Sequence, residues 1–118
     1  MTDCAAPGFS VCVRQGADRT VVALGGELDL YAAPQLRERL MALTDGDGRG
    51  DLVLDLAELA FIDSTGLGVV VEAAKSARAR GRDLVLSRPT PSTYKVLEIT
   101  GLHQALRVER TAAAVPSA

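Results

Sequence analysis

The fold is decided by residues 51–68, which read DLVLDLAELAFIDSTGLG. The run begins with Asp51–Leu56, a short and nearly continuous apolar segment that is typical of a central strand covered on both faces. It ends in Asp63–Gly68, where an acid, two hydroxyls and two glycines precede an amphipathic segment, and we predict a helix from Ser64 to Arg80. A buried strand followed directly by a helix indicates an α/β fold.

The segments on either side extend this unit into a mixed sheet. Alternation over residues 9–14 and an apolar segment over 20–24 predict two antiparallel strands joined by a turn. Helical spacing that begins near Pro34 predicts a first helix, and an apolar strand over 83–87 precedes a third helix over 93–100. We therefore predict an α/β fold, a mixed sheet of four to five strands with an N-terminal antiparallel hairpin and crossover helices.

The same patterns set the boundaries of the domain. We predict a flexible N-terminus over residues 1–8, a single folded domain over 9–110 and a partly frayed tail of small residues over 111–118. A chain of 118 residues is long enough for one domain that needs neither a disulfide nor a metal ion to fold.

Composition and charge argue against several classes of function. The formal net charge of −2 argues against a nucleic-acid binder, and we interpret Arg78, Arg80 and Arg82 as a solvated helix end. No secretion signal or bilayer-spanning apolar run is visible, and Cys4 and Cys12 are expected to be free thiols. We therefore expect a cytoplasmic protein that binds no nucleic acid and no membrane and is monomeric on its own.

Catalytic, cofactor and metal sites are not indicated by any motif. His103 is the only histidine, and no cysteine or histidine cluster has the spacing of metal ligands. Gly66 and Gly68 do not belong to a dinucleotide-binding loop, because Val71 stands at the last glycine position of that pattern. We expect a protein that is not an enzyme, with no cofactor and no metal; a small nucleotide-binding or hydrolysing enzyme is the weaker alternative.

The segment at the start of the second predicted helix combines unusual features. Asp63, Ser64 and Thr65 have a simple structural interpretation as caps of free backbone N–H groups. Gly66 and Gly68, however, each lower helix propensity by about 1 kcal/mol relative to alanine, and would leave a bare surface for a partner's backbone. Phosphorylation of Ser64 would add about −1.5 to −2 charges at the positive end of the helix, which the fold tolerates and a docked partner does not.

These residues resemble a known family. Phe61–Gly68 is similar to the signature of STAS domains, specifically the anti-sigma factor antagonists, and Gly26–Asp29 resembles the family's other marked segment. Leu52–Leu56 matches its central strand, and the resemblance spans residues 9–108. It implies a STAS-like fold and an unphosphorylated protein that binds an anti-sigma factor, commonly also a serine kinase, which then releases its sigma factor. Phosphorylation ends this interaction, and a serine phosphatase restores it.

The resemblance also implies roles for individual residues. Ser64 is the implied phosphorylation site. The implied partner-binding residues are Glu27, Asp29, Asp63, Thr65, Gly66 and Gly68. Structural alternatives are a helix cap for Asp29 and core packing for Leu67. Tyr31 departs from the small or hydroxyl residue expected at its position, and either contacts the partner or covers the end of a helix.

Two other functions are compatible with the same fold. One is a STAS scaffold or signalling module outside the sigma-factor pathway, which would keep Asp63 and Ser64 equally well. The other is a soluble subunit related to transporter-linked STAS domains. Those domains need not retain a phosphorylatable serine, so Ser64 argues mildly against this alternative.

Overall fold

The computed structural model describes the backbone of residues 2–6 and all of residues 8–46 and 50–110. Its strands are β1 (Thr2–Ala6), β2 (Phe9–Gln15), β3 (Arg19–Leu28), β4 (Asp51–Ile62), β5 (Leu84–Ser87) and β6 (Arg107–Glu109). Its helices are α1 (Ala33–Asp45), α2 (Ser64–Ala79), α3 (Pro91–Ile99) and α4 (Leu102–Ala105). None of the helices within these ranges is long and apolar enough to cross a membrane. The predicted tail over 111–118 lies outside the described residues.

The strands of the described chain form one mixed sheet in the order β1-β2-β3-β4-β5-β6. The first two pairs are antiparallel, and the three pairs from β3 to β6 are parallel, with helices in the connections. This confirms the predicted α/β architecture with its N-terminal hairpin and crossover helices. β1 adds an edge strand within residues 1–8, where we expected a flexible terminus. It pairs with the edge of β2, whose backbone groups would otherwise be open.

The end of β3 lies beside the end of β4 because their pairing continues through two irregularities. Beyond them, Glu27 is the register partner of Phe61, and Leu28 is the register partner of Ile62. Gly26 has a φ of 84°, and a Cβ at this position would overlap a neighbouring backbone carbonyl, so only glycine fits. Because this pairing continues to Ile62, β4 is longer than the predicted strand, and only Asp63 separates it from α2.

The core lies between the sheet and the helices α1 and α2, which pack against each other. α1 begins at Ala33 and accommodates Pro34 in its first turn, as predicted. On the outside, Arg37 donates two hydrogen bonds of 2.8 and 2.7 Å to Glu72 of α2, and these bonds lower the pKa of the Glu72 carboxyl. The largest fully buried side chains are Leu24, Leu28, Leu36, Leu40, Leu52, Leu54, Leu59, Leu84, Leu86, Leu97, Val11 and Val22.

The arginine cluster around the end of α2 is only partly a solvated helix end, so that prediction was wrong for one of its members. Arg78 and Arg80 are exposed, but Arg82 is only 9% exposed. Its Nε donates to the carbonyl of Gly50 at 2.8 Å, and a terminal nitrogen donates to the carbonyl of Leu43 at 2.9 Å. Arg82 therefore joins the end of α1, the start of β4 and the end of α2.

Candidate partner-binding site

The candidate site lies at the edge of the sheet where β3 and β4 end. Leu28 and Ile62 are register partners there, and the N–H of Asp63 donates to the carbonyl of Leu28 at 3.2 Å. The motifs Gly26–Asp29 and Phe61–Gly68 are therefore adjacent in three dimensions although they are distant in sequence.

Asp63, rather than Ser64, caps α2. Its Oδ1 accepts a hydrogen bond from the N–H of Gly66 at 2.9 Å, and its backbone is extended, as is typical of an N-cap residue. Ser64 is the first residue of the helix, and both Ser64 and Thr65 are exposed. Among the residues that the structure describes, none forms a hydrogen bond with either hydroxyl. The Ser64 hydroxyl is thus not needed to start the helix.

The two glycines of the motif have different surroundings. Gly66 is buried, and a Cβ there would lie 2.7 Å from Cγ of Leu28 and 3.1 Å from Cγ1 of Ile62. The expectation that Gly66 belongs to the exposed surface was wrong, because close packing of α2 on the strand ends requires this glycine. Gly68 is exposed with open space at its Cβ position, so its role toward a partner stays a prediction. Leu67 is 8% exposed and packs in the core, which agrees with the structural alternative for this residue.

The turn between β3 and α1 is held by Asp29. Its Oδ1 accepts hydrogen bonds of 3.0 Å from the N–H groups of both Tyr31 and Ala32. These bonds hold the turn that enters α1, but the N-cap residue of α1 is Ala32 and no side chain caps it, so the helix-cap alternative for Asp29 was wrong. Glu27 is exposed on β3. Tyr31 is 86% exposed, so it does not cover the helix end.

Exposed apolar side chains extend the site beyond the predicted residues. The large apolar residues that are exposed in the described chain are Leu30, Tyr31, Phe61 and Ile99, and the first three belong to this edge. A shallow cavity of ≈ 90 Å³ beside Phe61 is lined by Ala60, Phe61, Ile62, Ser92, Thr93 and Val96. Sequence reasoning missed Leu30 and Phe61. The available signal was strand alternation, which turns Phe61 away from the side that Ile62 buries.

The electrostatic character of this edge is acidic. Segments 26–32 and 60–68 contain the carboxylates of Glu27, Asp29 and Asp63 and no lysine or arginine. Within the described ranges, no group of three or more histidine, cysteine, aspartate or glutamate residues could hold a metal ion. The arrangement presents the exposed hydroxyls of Ser64 and Thr65 beside acidic and apolar side chains.

Comparison with known proteins agrees with these motifs. The family model for the STAS domain matches residues 10–115. An anti-sigma-B factor antagonist of Listeria monocytogenes is 38% identical over 92 residues, which cover 78% of this chain and 80% of that protein.

Solved structures show the same fold. An anti-sigma factor antagonist from Mycobacterium paratuberculosis has a TM-score of 0.82 at 22% identity, over 95% of this chain and 94% of that one. The phosphorylated form of a Bacillus cell fate determinant has a TM-score of 0.68 at 24% identity, over 88% of this chain and 94% of that one. On the family match and the sequence identity, the chain belongs to the STAS-domain family of anti-sigma factor antagonists.

Proposed function

We propose that the unphosphorylated chain binds an anti-sigma factor that is also a serine kinase, so that the sigma factor is released. Phosphorylation of Ser64 ends this binding, and a serine phosphatase restores it. The observation that carries the proposal is the exposed Ser64 hydroxyl at the first position of α2, where Asp63 already supplies the cap. Because the helix start does not depend on Ser64, modification of its hydroxyl leaves the local fold intact.

The relatives support this proposal. The Listeria protein is named as an antagonist of an anti-sigma-B factor, and the Bacillus protein was solved in a phosphorylated form. Anti-sigma factor antagonists are non-enzymatic regulators, so the kinase contributes ATP and this chain contributes the hydroxyl. We place the exchange in the cytoplasm, where sigma factors act.

The switch follows from the position of the phosphate. At the N-terminus of α2 the added charge faces the positive end of the helix dipole, so phosphorylation is compatible with the folded state. A kinase surface that closes over Gly68 and Thr65 would have to remove water from the phosphate dianion on Ser64. Segments 26–32 and 60–68 of this chain contain no lysine or arginine that could pair with that charge. Loss of binding without loss of structure is the expected result. Glu27 is proposed as a further contact.

Substitutions at Ser64 test the proposal. Ser64→Ala is expected to keep kinase binding and to take up no phosphate. Ser64→Asp is expected to weaken binding at least tenfold, because it places a charge at the docked surface, while the thermal midpoint stays within about 2 °C. Binding is measured by calorimetry, and phosphate by intact mass and peptide mapping after incubation with ATP and each purified serine-kinase anti-sigma factor of the same genome.

Thr65→Ala is the matched control, since it removes the neighbouring exposed hydroxyl and should still be phosphorylated at Ser64. Phosphate uptake by Ser64→Ala would place the acceptor elsewhere. Binding of Ser64→Asp as tight as that of the native chain would refute exclusion by charge. No binding and no phosphate with any kinase would favour a STAS scaffold outside the sigma-factor pathway.

A further inference from the structure

Tyr31 is an exposed aromatic side chain on a well-held backbone. It is 86% exposed, and Leu30 before it is 60% exposed. The backbone of this turn is fixed by hydrogen bonds, because Oδ1 of Asp29 accepts one from the N–H of Tyr31 and one from the N–H of Ala32. Ala32 and Ala33 are 4% and 1% exposed and anchor the following turn in the core. The fold thus holds the backbone of Tyr31 in a defined turn, with the aromatic ring exposed at the surface.

The turn that carries Tyr31 lies at the same sheet edge as Ser64. Leu28, which precedes the turn, pairs with Ile62, and its carbonyl accepts the N–H of Asp63 directly before Ser64. Exposed apolar residues that cluster beside a functional group indicate an interaction surface, whereas single scattered ones do not. Ile99 is such a scattered residue. It is the last residue of α3, the helix that follows β5 in the chain.

The charges around Tyr31 define the partner surface that fits it. Glu27, Asp29 and Asp63 are acidic, and neither of the two segments that form the edge contains a lysine or an arginine. A complementary surface has an apolar recess for the aromatic ring and basic residues at its rim. Aromatic anchors in such recesses commonly contribute most of the binding energy, and rim charges steer the encounter.

We propose that Tyr31, flanked by Leu30, is the anchor by which this chain selects its kinase, inserting into an apolar recess with a basic rim. This inference rests on the proposed function and adds to it the residue that determines specificity. Ser64 and the glycine motif are shared with the family's signature, so they do not distinguish one antagonist from another. Tyr31 stands where a small or hydroxyl residue was expected, and its ring is available for contact.

The test compares Tyr31→Ala and Tyr31→Phe with Ile99→Ala, a control that removes an exposed apolar side chain from α3. Each purified chain is titrated with each purified serine-kinase anti-sigma factor of the same genome, at low and high salt, and the rate of Ser64 phosphorylation is measured. Tyr31→Ala is expected to raise the Kd for the cognate kinase at least tenfold and to slow phosphorylation similarly. Tyr31→Phe and Ile99→Ala should stay within about threefold of the native chain, and high salt should weaken native binding.

The outcomes separate this inference from the function on which it rests. If the native chain binds a kinase and the Kd of Tyr31→Ala for that kinase stays within about twofold of the native value, Tyr31 is not the anchor. The antagonist function would still stand. A native chain that neither binds nor is phosphorylated by any kinase overturns both. Thermal unfolding distinguishes a lost contact from a lost fold, because removal of an 86% exposed side chain should leave the midpoint unchanged.

Discussion

In the first turn of α2, neighbouring residues serve separate purposes. Asp63 accepts a hydrogen bond from the N–H of Gly66, and no described residue forms a hydrogen bond with the Ser64 hydroxyl. Gly66 faces inward against Leu28 and has no room for a side chain, whereas Gly68 faces open space. Residues that the packing requires therefore alternate with exposed residues along the first turn of α2.

Alanine substitutions of the two glycines should have opposite effects. Gly66→Ala is expected to lower the free energy of unfolding by about 1–3 kcal/mol, because the new Cβ overpacks against Leu28. Gly68→Ala should raise it by up to about 1 kcal/mol through helix propensity, since nothing opposes its Cβ. Urea unfolding followed by circular dichroism measures both. A change of the same sign in the two variants would contradict the assigned surroundings.

At the scale of elements, the connection between α1 and β4 is closed by a side chain from beyond α2. Arg82 donates to the carbonyls of Leu43, near the end of α1, and of Gly50, just before β4. Carbonyls in the last turn of a helix lack intrahelical partners, so a buried guanidinium can satisfy one of them. This bond network fixes the ends of two elements whose other ends lead to the candidate site.

Removal of Arg82 should destabilise the fold more than removal of an exposed neighbour. Arg82→Ala is expected to lower the free energy of unfolding by about 1–3 kcal/mol, because two carbonyls lose a charged donor. Arg80→Ala, the control, removes a surface ion pair with Asp45 and should change it by less than about 1 kcal/mol. Urea unfolding of both variants gives the comparison, and equal losses would show that burial of Arg82 contributes nothing.

At the scale of the whole molecule, the proposed switch and the core are separate. Most buried apolar side chains of the described residues pack into one core cluster shared by the sheet, α1, α2 and Leu97 of α3. The Cα radius of gyration is 12.8 Å. Ser64 and Tyr31 lie at one edge of this body and are exposed. A change at that edge can therefore alter recognition while the core keeps its packing.

The isolated chain is expected to stay a compact monomer in both phosphorylation states. Light scattering should give the mass of one chain, and small-angle scattering should give a radius of gyration that phosphorylation changes by less than about 1 Å. The physical reason is that the phosphate is added at a solvated surface and breaks no described hydrogen bond. A doubled mass, or an expansion on phosphorylation, would contradict a switch that acts only on partner binding.

Local patterns in the chain were enough to predict the architecture. Alternation, the apolar run Asp51–Leu56 and helical spacing report which faces are buried, and these faces largely dictate an α/β sheet. The motif Phe61–Gly68 placed Ser64 at a helix start for the same local reason. Element ends were less predictable: β4 continues past residue 56, because its final residues pair with the end of β3.

Tertiary packing assigned the remaining roles, since they depend on residues that are distant in sequence. Gly66 is internal because Leu28, which is distant in sequence, packs against α2 at this position. Arg82 is buried where it donates hydrogen bonds to the carbonyls of Leu43 and Gly50. The apolar surface with Tyr31 also arises from two strand ends brought to one edge. Sequence thus determined the elements and the position of Ser64 at the start of a helix. The fold determined which side chains surround Ser64, because burial is a property of the assembled sheet and helices rather than of any one segment.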